Sequence, residues 1–311
     1  MENNLVVQSN ELVLATYTMT IKEKQLFLSC VSQIDSRENA PSITKQTKFT
    51  VSTNDIKRIF YNETNVKNAY RDLKQASSNL FEREVLIELE DEKTLRTRFV
   101  SGVLYDPVGD EITVTFAEDI LPYLTQLKAN FTKYKLLEIS ELSSIHSIRL
   151  YELIVCWIGQ FQYSKDYDLD DFRYVMGISG KYDQFSSLRE RVIETAIEEI
   201  SENTNYKVSV EYKKKGRGKG FRGLTLKFHK KVLSSLANKD GILSQATIQS
   251  IVDNPQFMLD YNDHKSLSYE AKNDTGVFKR DMIHIIQREP ESFKKLNKSL
   301  QSYLPKVRQG E

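Results

Sequence analysis

The chain has 311 residues, of which 40% are hydrophobic and 28% are charged. This length is more than one compact core usually needs, so we expect two domains and an additional segment. The apolar content supports buried cores, and no run of about 18 apolar residues predicts a membrane-spanning helix. Because the N-terminus also lacks the pattern of a secretory signal, the sequence predicts a cytoplasmic protein with no membrane partner.

The cysteines and histidines are too scattered to predict a metal or catalytic site. Cys30 and Cys156 stand in different halves of the chain, and neither has a cysteine or histidine at metal-ligand spacing. We therefore expect two reduced thiols in the cores. The four histidines form no His-x-His pair. The sequence predicts no metal, no cofactor and no enzymatic activity.

Charge is distributed unevenly, although the formal net charge of the whole chain is only +1. Residues 1–130 carry 15 basic and 19 acidic side chains, whereas residues 131–235 carry 18 basic and 14 acidic ones. The middle third of the chain is therefore the part that would attract a polyanion such as nucleic acid.

Residues 1–130 follow the order of a winged-helix domain, in which three helices precede a hairpin. The pattern predicts, in chain order, a helix over 20–34, a strand over 48–51, a helix over 52–60, a helix from about 65, and strands over 85–89, 94–105 and 111–116. Thr20 and Glu23 are spaced as a capping box for the first of these helices. A turn is predicted at 106–109, between the last two strands.

The same order recurs in residues 131–235. The predicted elements are a helix that starts at Ser143 or Ser144, a short helix from Asp168, a helix over 185–202, and strands over 208–212 and 224–228. Three apolar residues of the long helix repeat three of the first copy at an offset of 120: Ile193, Ala196 and Ile200 correspond to Leu73, Ala76 and Leu80. The spacing predicts two copies of one unit, with chance similarity between two amphipathic helices as the alternative.

A basic hairpin ends the second copy. Ten basic residues and one acidic residue lie between Tyr206 and Lys231, and this charge would follow a phosphate backbone. The predicted DNA contacts are Lys213, Lys214, Lys215, Arg217, Lys219 and Arg222. The alternative is a solvated tip whose lysines keep a strand edge soluble. The glycines do not form the G-x-x-x-x-G-K-[ST] pattern, which argues against a nucleotide-binding loop.

The helix over 185–202 takes the place of the DNA-reading helix of a helix-turn-helix. Such a helix presents its N-terminal residues to base edges, where arginine holds guanine through two hydrogen bonds. The predicted contacts are Arg189 and Arg191 to bases, with Lys181, Ser186 and Ser187 to phosphate or base. In the first copy the predicted contacts, mainly to phosphate, are Lys67, Asn68, Arg71 and Lys74. Solubilising side chains are the alternative for both faces, and dimerisation competes for the first.

Several motifs resemble the signature of iteron-plasmid replication initiator (Rep) proteins. They are YKLLEI at 134–139, the serines at 143, 144 and 147, RLYEL at 149–153, FSSLRERV at 185–192 and AIEEI at 196–200. The resemblance covers residues 5–232. It implies an α+β fold of two tandem winged-helix domains, 1–130 and 131–235, followed by a C-terminal extension over 236–311.

The resemblance also implies how such a chain would work. The second domain would read repeated double-stranded origin DNA in the major groove, with Arg189 and Arg191 at the matching positions. The first domain would bind neighbouring DNA in the monomer and would mediate dimerisation when the protein represses its own promoter. Host initiator and helicase proteins would be recruited afterwards. Glu190 departs from the family pattern and would repel phosphate if it faced DNA.

Other hypotheses stay open at the level of sequence. A transcriptional repressor without an initiator role would use the same fold. A DNA-nicking relaxase would need a nucleophilic tyrosine beside a histidine cluster, but Tyr151 lies on an apolar helix face and is predicted to be in the core. A protein-interaction module that uses its hairpins for partners is a further alternative. The extension, with helices predicted near 245–252 and 278–287, has no predicted function.

Overall fold

The computed structural model describes residues 5–35, 40, 43–60, 69–125, 127, 129–216, 220–231, 243–288, 292–293 and 300–303. Contacts between residues divide the chain into two compact units. Unit 1 comprises the described residues within 3–199 and 208–228, and unit 2 comprises those within 200–207 and 229–311.

Among the described residues, the first half of unit 1 contains four α-helices and two three-stranded sheets. Its elements are β1 (Leu5–Ser9), α1 (Asn10–Leu14), β2 (Thr16–Tyr17), α2 (Ile21–Val31), β3 (Phe49–Ser52), α3 (Thr53–Phe60), α4 (Ala69–Phe81), β4 (Glu84–Glu88), β5 (Thr94–Arg98), β6 (Val100–Asp106) and β7 (Glu111–Phe116). The capping box of α2 is confirmed, because the Glu23 backbone N–H donates to the Thr20 hydroxyl and the Glu23 carboxylate accepts from the Thr20 N–H.

The predicted single strand over 94–105 is wrong. It is two strands in different sheets, since β5 pairs with β4 while β6 pairs with β7. The break lies at Phe99, whose ring packs edge-on against Tyr17 and Phe27. Phe99 and Val100 are both buried, so the alternation of inward and outward side chains slips by one residue at that point.

The second half of unit 1 repeats this arrangement. Its elements, of which the last three each extend at one end into the residues of unit 2, are β8 (Phe131–Lys135), α5 (Ile145–Gly159), β9 (Ser164–Asp168), α6 (Leu169–Val175), α7 (Phe185–Leu188), a π-helical turn (Arg189–Glu194), α8 (Thr195–Asn203), β10 (Tyr206–Lys214) and β11 (Phe221–Lys230). The sheet order β10-β11-β9 matches β6-β7-β3 of the first half, with the strand that precedes the second helix at the same edge. The two halves are therefore copies of one winged-helix unit.

Sequence patterns did not predict the short N-terminal strand β1. It pairs antiparallel with β8, so Leu5 lies opposite Lys135 and Ser9 opposite Phe131. This pairing crosses the predicted domain boundary at residue 130, and the boundary itself stays a prediction. Strands β1 and β8 form a two-stranded sheet within unit 1.

The cores contain the residues expected from their apolar patterns. The two apolar triplets spaced by 120 residues are buried throughout. Tyr151 is fully buried on α5, as predicted, and its hydroxyl donates to the Glu138 carboxylate. Cys30 and Cys156 are free and buried, and burial raises the pKa of both thiols. Both are therefore unreactive core residues.

Unit 2 has an apolar core of its own. Its helices are α9 (Gln245–Val252), α10 (Pro255–Tyr261) and α11 (Thr275–Arg288). Rings of Phe257, Tyr261, Phe293 and Tyr303 pack together at the centre of this core. The two helices predicted for the extension are α9 and α11, whereas α10 was missed. No helix among the described residues is both long enough and apolar enough to cross a membrane.

Candidate nucleic-acid interface

The predicted DNA-reading helix is continuous from residue 185 to residue 203 and comprises α7, the π-helical turn and α8. Leu188, Val192 and Ile193 anchor its N-terminal half in the core. Ser186 is exposed and Ser187 is half-buried at the start of the helix, and Arg191 is exposed one turn later. The π-helical turn contains both predicted base-contacting arginines, and such turns occur frequently at functional sites.

The structure distinguishes the two arginines that the sequence treats as equivalent. Arg189 is half-buried, and its guanidinium lies 3.1 Å from the Glu190 carboxylate and 3.5 Å from that of Glu194. Arg191 has no ion pair with any residue that the structure describes. Glu190 is itself exposed, and it neutralises Arg189. Arg191 is therefore the cation of this helix that is available to an external partner.

Lys181 lies in the turn that precedes this helix. Gly180 and Tyr182 take the left-handed backbone conformation there, with φ of 71° and 55°, and Lys181 is exposed between them. The Tyr182 hydroxyl lies 3.1 Å from Nε2 of His146 at the start of α5. Burial, and then the charge of Lys181, lower the pKa of His146. Lys181 therefore projects from a turn held against α5.

The basic hairpin is formed by β10 and β11, and the Lys215 N–H donates to the Gly220 carbonyl across its end, at 3.0 Å. Lys214, Lys215 and Arg222 are exposed. Lys213 is partly buried and pairs with Asp166 of β9 at 2.9 Å, so part of its charge is neutralised within the protein. The predicted contacts Arg217 and Lys219 lie outside the described residues.

Three aromatic rings join this hairpin to the start of the 185–203 helix. Phe185 stacks on Phe221 with ring centroids 4.2 Å apart, and Tyr212 packs edge-on against both. Burial and the charge of Glu194 raise the pKa of Tyr212, which therefore stays a neutral part of the cluster. Sequence reasoning missed this cluster, although the signal was an aromatic residue in each of the three segments. The cluster fixes the hairpin relative to the helix.

The corresponding surface of the first half has a different charge. On α4, Arg71 and Lys74 are exposed, but Arg71 lies 3.5 Å from Asp72 and Lys74 lies over the Tyr105 ring. The β6–β7 turn contains Asp106 and Asp110 in place of lysines, with Val108 exposed between them. Burial raises the pKa of Tyr70 on α4, and the carboxylates of Asp106 and Asp110 raise it further. The two carboxylates therefore lie close to that helix. The predicted contacts Lys67 and Asn68 lie outside the described residues.

Metal chemistry has no visible site in the described part of the chain. No group of three or more His, Cys, Asp or Glu residues there is placed to hold a metal ion. His146 bonds through Nε2 to the Tyr182 hydroxyl.

Comparisons with known proteins agree with the winged-helix fold of both halves. The family model described as "Initiator Replication protein, WH1" matches residues 5–155, and "Initiator Rep protein, WH2" matches residues 168–228. A replication initiation protein of Escherichia coli is 27% identical over 224 residues, which are 70% of this chain and 67% of the relative.

Among solved structures, the Pi initiator protein in complex with iteron DNA is similar with a TM-score of 0.60 and 19% sequence identity. The match covers 74% of this chain and 99% of that one. At this level of identity the likeness shows that the two proteins share their fold.

Proposed function

The chain belongs to the initiator Rep protein family, and we propose that it starts plasmid replication by binding repeated double-stranded origin DNA, the iterons. The two family models and the E. coli relative support the initiator role. The Pi protein was solved on iteron DNA, which supports the same class of DNA as the partner of this chain.

The main observation that supports DNA binding is that an exposed arginine and an exposed basic hairpin lie side by side, held together by the aromatic cluster. Arg191 lies on the 185–203 helix, and Lys214, Lys215 and Arg222 lie on the hairpin that the aromatic cluster holds beside it. In a winged-helix protein such a helix enters the major groove. The hairpin then follows the phosphate backbone, with Lys181, Ser186 and Ser187 as further contacts at the helix start.

For the first domain we propose an auxiliary DNA contact and a role in dimerisation. Arg71 and Lys74, with Lys67 and Asn68, would contact the DNA beside the segment read by the second domain. The acidic β6–β7 turn limits how closely phosphate can approach that face. A dimer formed through this domain would repress the promoter of the protein's own gene.

The remaining parts of the proposal follow from the DNA target. An initiator bound to an origin recruits host initiator and helicase proteins, and its site of action is the cytoplasm, where plasmids are. Binding and recruitment need no chemical step by this chain, so we assign it no enzymatic activity. A repressor without an initiator role is the second candidate, because the same interface would serve it.

Two measurements test the proposal. In gel shifts with the origin of the plasmid that encodes the chain, we expect binding that requires the direct repeats. Equal affinity for DNA without repeats would contradict the proposal. A plasmid-maintenance assay separates initiator from repressor. Deletion of the gene for this chain should abolish replication of the plasmid if the chain is an initiator, whereas the plasmid should still replicate if the chain is only a repressor.

A further inference from the structure

The two winged-helix domains meet at a buried junction that is held by one arginine. Arg149, on α5, is buried, and its guanidinium donates to the Ala15 carbonyl at 2.6 Å and to the Tyr17 hydroxyl at 2.9 Å. The same group donates twice to the carbonyl of Val175 at the end of α6, at 3.0 and 2.9 Å. One guanidinium therefore connects the β2 segment of the first domain with a helix of the second.

Contacts on both sides of Arg149 fix the same two segments against each other. The Thr16 hydroxyl donates to the Tyr174 carbonyl at 3.0 Å, and the Thr18 hydroxyl donates to the Gly177 carbonyl at 2.9 Å. Gly177 has a φ of 68°, and a Cβ atom at this position would lie 1.8 Å from the Tyr17 carbonyl oxygen. The two backbones are thus in direct contact, with no space for a side chain.

A buried ion pair continues the junction into the first domain. Lys24 of α2 lies 2.9 Å from the Glu152 carboxylate of α5, and both side chains are almost completely buried. Gln8 and Tyr134 also donate to Glu152, and Lys24 donates to the Tyr17 hydroxyl. Burial opposes ionisation of Glu152, but the charges of Lys24 and Arg149 outweigh it and lower its pKa.

Such a network permits one arrangement of its members and penalises others. Separating a buried ion pair leaves a charge without a partner, and each unpaired buried polar group adds a further cost. A sliding or rotating interface would have to break several of these bonds together. The junction therefore resists rotation of one domain relative to the other.

From this geometry we propose that the junction determines the spacing between the two DNA segments that the chain can contact at once, with Arg149 as the positioning residue. The inference rests on the proposed DNA-binding function and names a determinant of its specificity. When two linked modules bind one ligand, the second contact is intramolecular, and its effective concentration depends on geometry. A rigid junction gives a high effective concentration at one spacing and a low one at others.

The test measures affinity as a function of spacing. The probes are the duplex that the wild-type chain selects from a random-sequence pool and derivatives with 1 or 2 base pairs added or removed between the two protected segments. Two base pairs move one segment by about 7 Å and about 70° relative to the other. We expect the wild-type chain to lose about 10-fold or more in affinity at two base pairs from the optimum.

The variant Arg149→Met keeps an unbranched apolar stem at this position and removes the guanidinium. We expect it to lose about 10-fold at the optimal spacing and less than about 3-fold at the shifted spacings, which flattens the profile. A uniform loss that keeps the shape of the profile, or an unchanged profile, would overturn the proposal. Circular dichroism and melting curves establish that the variant is folded.

A milder pair of substitutions decides the question if Arg149→Met does not fold. Thr16→Val with Thr18→Val removes two hydrogen bonds across the junction without changing side-chain shape, and we expect a partly flattened profile. The matched control is Thr50→Val with Thr113→Val, whose hydroxyls bond to each other at 2.9 Å within the first domain. The control should keep the wild-type profile of affinity against spacing. If the junction variant also kept the wild-type profile, the proposal would be overturned.

Two results with the wild-type chain separate this proposal from the function on which it rests. If the chain selects no sequence from the pool, the proposed function fails and this inference fails with it. If it selects a sequence but tolerates every spacing equally, DNA binding stands and only the role of the junction is overturned.

Discussion

At the scale of single residues, the structure shows that two candidate DNA contacts that look equivalent in the sequence have different surroundings. Sequence places Arg189 and Arg191 at matching positions, but two carboxylates already neutralise Arg189. These carboxylates compete with DNA for the guanidinium of Arg189, although an exposed ion pair of this kind contributes only up to about 1 kcal/mol. Glu190 therefore does more than repel phosphate, because it also reduces the charge that its neighbour offers.

We predict that Arg191→Ala weakens binding to the specific duplex by about 1 to 3 kcal/mol, because a bidentate contact to guanine is lost. Arg189→Ala should cost less than Arg191→Ala. Fluorescence anisotropy with the specific duplex and a scrambled duplex measures both effects. An equal loss on the two duplexes would assign Arg191 to phosphate contact instead of base reading.

The stability of the protein should depend on pH through His146. Its pKa is lowered in the folded state, first by burial and then by Lys181, so the folded chain binds fewer protons than the unfolded chain as the pH falls below about 6.5. The free energy of unfolding should then decrease on acidification. In thermal melts from about pH 7.5 to about pH 5, His146→Gln should remove this component, whereas the exposed control His229→Gln should keep it.

At the scale of elements, the basic hairpin and the 185–203 helix act as one surface because the aromatic cluster joins them. In the proposed complex, the helix would supply a base contact, and the hairpin would supply positive charge whose attraction to phosphate does not depend on base sequence. Effects of hairpin substitutions should therefore appear on all DNA, in contrast to the effect of Arg191.

For Lys214→Ala with Lys215→Ala we predict a similar loss of affinity for specific and unrelated DNA. The slope of log affinity against log salt should become shallower by about 2, since each lost phosphate contact contributes about 0.9. Titrations at several salt concentrations measure this slope. The control is Lys45→Ala with Lys93→Ala, exposed lysines of the first domain that pair with Glu118 and Asp91. A slope that changes equally in the control would contradict the assignment.

One glycine positions the hairpin against the rest of its sheet. A Cβ atom on Gly223 would lie 2.2 Å from the Tyr167 carbonyl oxygen of β9, so Gly223→Ala should separate β11 from β9 and destabilise the fold by about 1 to 3 kcal/mol. Gly216 has no heavy atom within 4 Å of such a Cβ. Gly216→Ala is therefore the matched control, and equal urea midpoints for the two variants would refute this role for Gly223.

The sequence predicted the elements that have strong local signals. It did not predict the features that depend on tertiary contacts. The capping box of α2, the apolar triplets and the 185–203 helix follow from spacing along the chain. The break at Phe99 does not, because only the structure shows that Phe99 and Val100 are both buried and that the chain changes from one sheet to another there. The same holds for β1, a short strand whose partner, β8, lies more than one hundred residues away.

The residues of the candidate site were also predicted from the sequence only in part. Composition alone located the basic hairpin, and helix position located the two arginines. The neutralisation of Arg189 and Lys213 was not predictable, because Lys213 pairs with an acid from another strand and the Arg189 pairs depend on side-chain geometry. The junction was also missed, since the bonds that cross from one domain to the other join residues more than one hundred positions apart.

At the scale of the whole molecule, the two winged-helix domains share a topology but differ in charge. The second domain has an exposed arginine and a basic hairpin, whereas the corresponding turn of the first domain contains Asp106 and Asp110. This difference in charge supports the proposal that the second domain is the principal DNA reader and the first is an auxiliary contact. Unit 2 adds a separate core after these domains.

We propose that the chain recognises a repeated origin sequence through the second domain. Footprinting on plasmid DNA that contains direct repeats tests it most directly, with the wild-type chain and the double variant Arg189→Ala and Arg191→Ala. We expect protection that recurs once in each repeat and is lost in the double variant. Protection that ignores the repeats, or that persists without both arginines, would contradict it.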